Sequence, residues 1–355
     1  MRAMFFRKKK EDVLIGLDIG SSFLKVAQVD ISRDPHELVL FQTMPLPRDV
    51  ISEGAIVDKP ALVAALRELS ARANLKNADV AVGLSGHSSV IIKRITIPQM
   101  SQEDLNLSIK FEAEQYIPFD INDVNIDFQI LGPSAQEHGQ MDVLLVAVKK
   151  SLINEYVSAL EDAGLSPAVV DVDPFAISNV FEANYDLQEL RSVALVNIGA
   201  SKTSINIFQN GQPVFTRDSA SGINFHAEAL ERMLKVTRED AERLKRGESV
   251  SGVSPESAES VLNSASDEIY AEIYRSFEYF RSSVSDEGIQ RIFLSGGAAL
   301  MKGFPEMMAE RLGVDVEVLD PFKKINVTDK ADPSVRSLAP LAVVAVGLAL
   351  RRIGD

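Results

Sequence analysis

Val13-Leu14-Ile15-Gly16-Leu17-Asp18-Ile19-Gly20-Ser21-Ser22 and Val193-Ala194-Leu195-Val196-Asn197-Ile198-Gly199-Ala200-Ser201 are two passages of one kind in a single chain. Each is an apolar run closed by glycine, and each leads into a second extended piece. Leu24, Val26 and Val29 follow the first, and Ile205 and Ile207 alternate after the second. A short apolar run bounded by a glycine turn reads as a buried strand, so each passage predicts strand, tight turn, strand. The matching pentapeptides Asp18-Ile19-Gly20-Ser21-Ser22 and Asn197-Ile198-Gly199-Ala200-Ser201 predict two related lobes that face each other.

The chemistry of such hairpins is anion binding. A glycine at a strand end lets backbone N–H groups converge on one point, and a concave nest of donors suits phosphate. Ser21, Ser22, Ser201 and Thr203 add hydroxyl donors. Asp18 cannot serve a phosphate itself; its expected role is to hold the waters of a hard cation such as Mg²⁺. Lys25 is placed to neutralise phosphate as a point charge. Lys202 has two readings, further charge on the phosphates or a side chain in solvent, and the sequence does not choose between them.

Two further passages join this set. In Ile292-Phe293-Leu294-Ser295-Gly296-Gly297-Ala298, a strand ends in Gly-Gly, which allows backbone to lie flat against a base or ribose. In Glu239-Asp240-Ala241-Glu242-Arg243-Leu244-Lys245, Glu242 and Lys245 share a helix face from which they can reach ribose hydroxyls and adenine edges. No G-x-x-x-x-G-K-[ST] and no G-x-G-x-x-G opening a helix occurs, so Walker and Rossmann sites are unsupported.

Around these motifs, helical spacing marks residues 60–72, 101–116, a stretch through Leu152, Tyr156 and Leu160, then 224–235, 237–246 and 256–284. Extended patterns mark 79–84, 90–95, 142–148, 213–216 and 291–294, with a hairpin loop at 132–140. The longest apolar stretch, Leu338 to Leu350, has 13 residues, whereas spanning a bilayer takes about 20. It reads as a buried helix packed on a sheet. The basic start, MRAMFFRKKK, is either a disordered tail or a weak contact with anionic lipid.

Composition narrows the chemistry. The 355 residues carry a net charge of −14, and nonspecific nucleic-acid binding needs the opposite field. With no cysteine, disulfides, thiolate metal sites and cysteine nucleophiles are excluded together. Four scattered histidines do not make a histidine metal site. A cytoplasmic setting follows from a chain that makes no use of oxidation.

Taken in order, the four passages resemble the actin-like ATPase superfamily: two phosphate loops, a nucleotide-helix motif and an adenosine motif. Ile97-Pro98 and Ile109-Lys110-Phe111-Glu112-Ala113-Glu114-Gln115-Tyr116-Ile117-Pro118-Phe119 resemble the PilM family of FtsA-like pilus proteins within it. The resemblance implies an α/β actin-like two-lobed fold of duplicated ribonuclease-H-like lobes with an FtsA-type inserted subdomain. The expected organisation is a basic tail at 1–12, a first lobe at 13–86 and 165–190, and an insert at 87–164. The second lobe then comprises 191–225 and 287–355, with its small subdomain at 226–286.

The same resemblance implies that ATP and Mg²⁺ lie between the lobes, held by Asp18, Gly20, Ser21, Ser22, Lys25, Asn197, Gly199, Ala200, Ser201, Lys202, Thr203, Gly222, Glu242, Lys245, Gly296, Gly297 and Ala298. Asp173, in Val172-Asp173-Pro174-Phe175-Ala176, falls where heat-shock relatives carry the acid that positions water. Family members dock onto the cytoplasmic N-terminus of the inner-membrane protein PilN and link the pilus platform to its motor ATPases. That implies a location at the cytoplasmic face of the inner membrane. The aromatic residues Phe111, Tyr116, Phe119 and Phe128 are either the core of the insert or part of a groove for the partner peptide.

Departures from the family pattern weaken catalysis more than binding. Asn197 stands where hydrolases of the superfamily carry Asp, and an amide lacks the charge that orients metal and water. Ala200, Ser201 and Lys202 replace Gly, Gly and Thr, and Ser221-Gly222 replaces Gly-Gly. The implied protein binds ATP and hydrolyses it weakly or not at all. An FtsA-like division filament is the alternative, although the sequence ends without a basic amphipathic helix. A sugar kinase of the superfamily and a type II secretion platform protein lack their own marks here.

Overall fold

The computed structural model describes residues 14–86, 88–134, 137–187, 190–328, 331 and 333–353. The basic start lies outside them.

The first lobe begins with β1 (Ile15–Ile19), β2 (Phe23–Asp30) and β3 (Glu37–Pro45), with a small ribbon of β4 (Ile51–Ser52) and β5 (Ala55–Ile56). Helix α1 (Lys59–Ala73) starts where the Asp58 side chain accepts from the Ala61 N–H at 2.9 Å, and it ends at Asn74 in the left-handed conformation. Strand β6 (Asp79–Leu84) follows. The insert contains β7 (Val90–Pro98), α2 (Gln102–Glu114), β8 (Val124–Pro133) and β9 (Gln140–Lys149). Its α2 is capped by Ser101, which accepts from the Asp104 N–H at 3.1 Å. The chain returns through α3 (Lys150–Asp162), β10 (Ser166–Val172) and α4 (Asp173–Asn184).

The second lobe repeats the plan with β11 (Ser192–Ile198), β12 (Thr203–Gln209) and β13 (Gln212–Ser219). Helices α5 (Asn224–Leu234), α6 (Arg238–Lys245) and α7 (Pro255–Ser283) form its small subdomain. The chain finishes with β14 (Arg291–Ser295), α8 (Phe304–Leu312), β15 (Asp315–Val318), β16 (Asn326–Val327) and α9 (Ala339–Ala349).

The duplication appears in the sheets. One sheet runs β10-β6-β1-β2-β3-β16 and the other runs β13-β12-β11-β14-β15. Set β16 aside and read the first in reverse, and the two orders coincide. In both, the first three strands are antiparallel neighbours and the last two join in parallel. The repeated pentapeptides sit at the same corner of each.

Two helices join the lobes. Both α4 and α9 enter one apolar cluster with Phe41 of the first sheet and Phe208 and Phe293 of the second. The rings of Phe181 in α4 and of Tyr185 just after it each lie 4.8 Å from the Phe293 ring. A methyl group on Gly16 of β1 would stand 1.9 Å from the Ala345 carbonyl oxygen, and one on Gly347 would stand 1.8 Å from that of Ala176. These glycines let α9 lie with its backbone against β1 on one side and α4 on the other. No helix among the described residues is long and apolar enough to cross a membrane.

Two expected boundaries need correction. The insert stops at β9, not at residue 164. Leu152, Tyr156, Ala159 and Leu160 of α3 are buried with α1 and β6, because the apolar stripe of α3 faces the first lobe. The expected second-lobe segment 287–355 also divides. Strand β16 pairs in parallel with β3, and α9 packs on β1 and β2. The stretch 338–350 is apolar on every side, so it needs walls all round, and only the space between the lobes offers them.

A candidate nucleotide cleft

The first hairpin closes by a bond from the Gly20 N–H to the Phe23 carbonyl at 3.0 Å. Register places Asp18 beside Lys25, and Lys25 Nζ donates to Asp18 Oδ2 at 2.6 Å. Asp18 is buried, and that burial pushes its carboxyl up although Lys25 pulls the other way. The second hairpin closes in the same way, from the Gly199 N–H to the Lys202 carbonyl at 2.8 Å.

The hairpins meet. Ser201 Oγ donates to Ser21 Oγ at 2.8 Å, and Lys202 Nζ donates to Asp173 Oδ2 at 2.8 Å. Thus the Gly20 and Gly199 hairpins lie against each other at Ser21 and Ser201. Asp173 opens α4 and has room because Gly83 has no side chain; a methyl there would stand 2.2 Å from Asp173 Oδ1. Of the two readings left by the sequence, the solvated one fails, because Lys202 is paired with Asp173. Its side chain is 22% exposed and that of Asp173 12%. Burial opposes its charge, but Asp173, Asp218 and Asp18 outweigh this and raise its pKa.

The second hairpin is supported from behind. Ile223 N–H donates to the Gly199 carbonyl at 3.0 Å and Asn224 N–H to that of Ala200 at 2.8 Å. Thr203 Oγ1 donates to the Ser221 carbonyl at 2.8 Å. Gly222 lies so close that a methyl would stand 2.5 Å from Ala200 O. On the other flank, Gly296 has φ +84°, and a methyl there would meet Asn197 Oδ1 and Ile198 O at 2.4 Å. Gly297 is pressed against Ile223, and Ala298 is buried. Gly296, Gly297 and Ala298 therefore brace the hairpin root.

Glu242 and Lys245 share a face and pair at 3.0 Å, with Arg238 on Glu242 at 3.2 Å. The Lys245 side chain is only 6% exposed, and burial pulls its pKa down. Gly247 at the end of α6 sits against Lys302, which brings this helix beside the Gly296–Gly303 segment. Ser22 stays at the rim, its carbonyl accepting from the Leu46 N–H at 2.9 Å.

Sequence reasoning missed Gly83 and Asp218. A glycine in the strand predicted at 79–84 was the signal for the first. Asp218, hydrogen-bonded to the Ser204 hydroxyl, gave none. Of the four insert aromatics, Tyr116, Phe119 and Phe128 pack against the insert's own core. Phe111 is 78% exposed beside Leu107, 88% exposed, one turn away on α2.

Two sheets of one topology, joined by α4 and α9 around paired glycine hairpins, define an actin-like fold. A crystal structure of MreB5 from Spiroplasma citri bound to ADP is similar at TM-score 0.54, covering 94% of both chains at 13% identity. Cell division protein FtsA of Bacillus subtilis is 23% identical over 259 residues, which is 66% of this chain and 58% of that protein. The chain thus spans just over half the length of that curated relative. The family model of the type IV pilus assembly protein PilM matches residues 16–353. The chain belongs to that family. It is similar to a chain of the solved PilM-PilN type IV pilus biogenesis complex at TM-score 0.83 and 29% identity, covering 97% of this chain and 99% of that one.

Proposed function

We propose that this protein is an ATP-holding adaptor of the type IV pilus assembly machine. It docks to the cytoplasmic N-terminus of PilN at the inner membrane and connects the platform to the pilus motors. The likeness to the PilM-PilN complex along nearly the whole chain carries the reading. An FtsA-like filament in cell division is the weaker alternative, since that relative aligns over only part of each chain.

The cleft supports a holding role. The hydroxyls of Ser21 and Ser201 meet where the two hairpins touch, so a triphosphate bound beside that contact would find donors from both lobes. Hydrolysis needs a charged group to orient water, and both candidates are compromised. Asn197 is an amide, and Asp173 is already bonded to Lys202. The Mg²⁺ expected through Asp18 fits this donor set poorly, because Lys25 already occupies that carboxylate.

Two measurements test the proposal. Mass analysis of nucleotide released on denaturation yields ATP, and a synthetic peptide of the PilN cytoplasmic N-terminus binds the full chain. A protein with neither ATP nor peptide affinity ends the reading. Asn197→Asp is expected to raise phosphate release on the order of tenfold, less than the roughly hundredfold or more that one preorganised electrostatic group contributes at a transition state. An unchanged rate would place the deficit at the Lys202–Asp173 pair.

A further inference from the structure

The cleft brings its own cations. Two carboxylates face it, Asp18 and Asp173, and each holds a lysine ammonium at 2.6 and 2.8 Å. The third acidic position of the fold is the amide of Asn197. Among the described residues, no three acidic or histidine side chains converge as a metal site. A small divalent cation asks for anionic oxygens in a near-octahedral shell and gives up its waters reluctantly. Here it would have to displace an ammonium from whichever carboxylate it approached.

Lys202 is positioned differently from Lys25. Lys25 belongs to the first hairpin and pairs within it, whereas Lys202 rises from the second hairpin and reaches across to the first lobe. Its own carbonyl accepts from the Gly199 N–H, so its backbone closes the second hairpin. An ammonium has three donors, and Asp173 accepts one of them. Its neighbour Ser201 carries the hydroxyl that meets Ser21, so the two remaining donors are left for phosphates bound beside that contact. Asp218 and Asp18 also act on Lys202 and favour its charged form.

We propose that Lys202 takes the place of a divalent cation at the outer phosphates, so that this chain holds a metal-free nucleoside triphosphate. The inference rests on the reading of the cleft as a nucleotide site. It also accounts for two departures together: Asn197 has no metal to orient, and Asp173 anchors the lysine instead of a water.

Calorimetric titration of the nucleotide-stripped full chain with ATP, in excess EDTA and in excess Mg²⁺, tests it. The unaltered protein is expected to bind in both, with Kd values within about threefold, under 0.7 kcal/mol. Lys202→Thr is expected to bind more than about tenfold more weakly in EDTA and to regain most of that loss with Mg²⁺. Lys202→Arg keeps metal-independent binding, and melting curves check that each variant is folded. Binding of the unaltered protein that requires Mg²⁺ would overturn the lysine proposal alone. ATP binding absent in both buffers would overturn the nucleotide reading and this proposal with it. The comparison on the unaltered protein decides the matter even where a variant fails to fold.

Discussion

Gly347→Val is expected to lower the melting temperature by about 10 °C or more and to leave little soluble protein. Overpacking a close contact costs roughly 1–3 kcal/mol and sometimes more, against a total stability of about 5–15 kcal/mol. Each kcal/mol moves the melting point of a large domain by about 2–4 °C. This site belongs at the upper end. The added carbon would face the Ala176 carbonyl oxygen at 1.8 Å and its Cα at 2.9 Å, and both are backbone of α4. No rotamer change relieves a clash with main chain. Nor can α4 retreat, because its other side carries Phe181 into the apolar cluster shared with Phe293 and Phe208. Gly288→Ala is the control: nothing lies within 4 Å of its added carbon, and the effect should stay within about 0.5 kcal/mol. An unaltered melting curve for Gly347→Val would mean that α4 and α9 do not touch in solution.

Gly222→Val is expected to weaken ATP binding on the order of a hundredfold, about 2.7 kcal/mol, with a smaller change in melting temperature. Gly222 backs the turn that carries Ala200, Ser201 and Lys202. An added carbon would meet Ala200 O at 2.5 Å and the Lys202 nitrogen at 2.7 Å. The turn is the more movable partner, since the chain behind it is tied down by Thr203 Oγ1 on the Ser221 carbonyl. Pushed forward, it breaks the bonds from Ile223 and Asn224 and tilts the donors away from the phosphates. Calorimetry with ATP reads the loss. Full affinity in a folded variant would show that this hairpin does not grip the nucleotide.

How much of this was legible in the sequence depended on how local each signal was. The hairpins β1–β2 and β11–β12 were readable because glycine ends a mostly apolar run in both and alternation resumes soon after. Helix α7 declared itself through a stripe from Ile269 to Phe280. Strand β10 and helix α4 did not. In residues 173–184 the polar positions do not mark a solvent face, since Asp173 and Asn184 are buried along with the apolar residues, and the period is blurred. Helix α3 was assigned to the insert because it follows β9 in sequence, although its buried face belongs elsewhere. The candidate cleft residues were named from type, spacing and family resemblance, but not their pairing. Lys202 and Asp173 are 29 positions apart on different lobes, and nothing in either neighbourhood announces the other.

The arrangement of α9 has a consequence for biogenesis. Gly16 near the start of the chain is sealed by Ala345 near its end, and β16 zips onto β3 from the far side of the sequence. A nascent chain that has exposed β1 and β2 still lacks the lid over them, so that apolar surface stays open until α9 clears the ribosome. Acquisition of protease resistance during synthesis should therefore come late and in one step for both halves, with no early protected fragment.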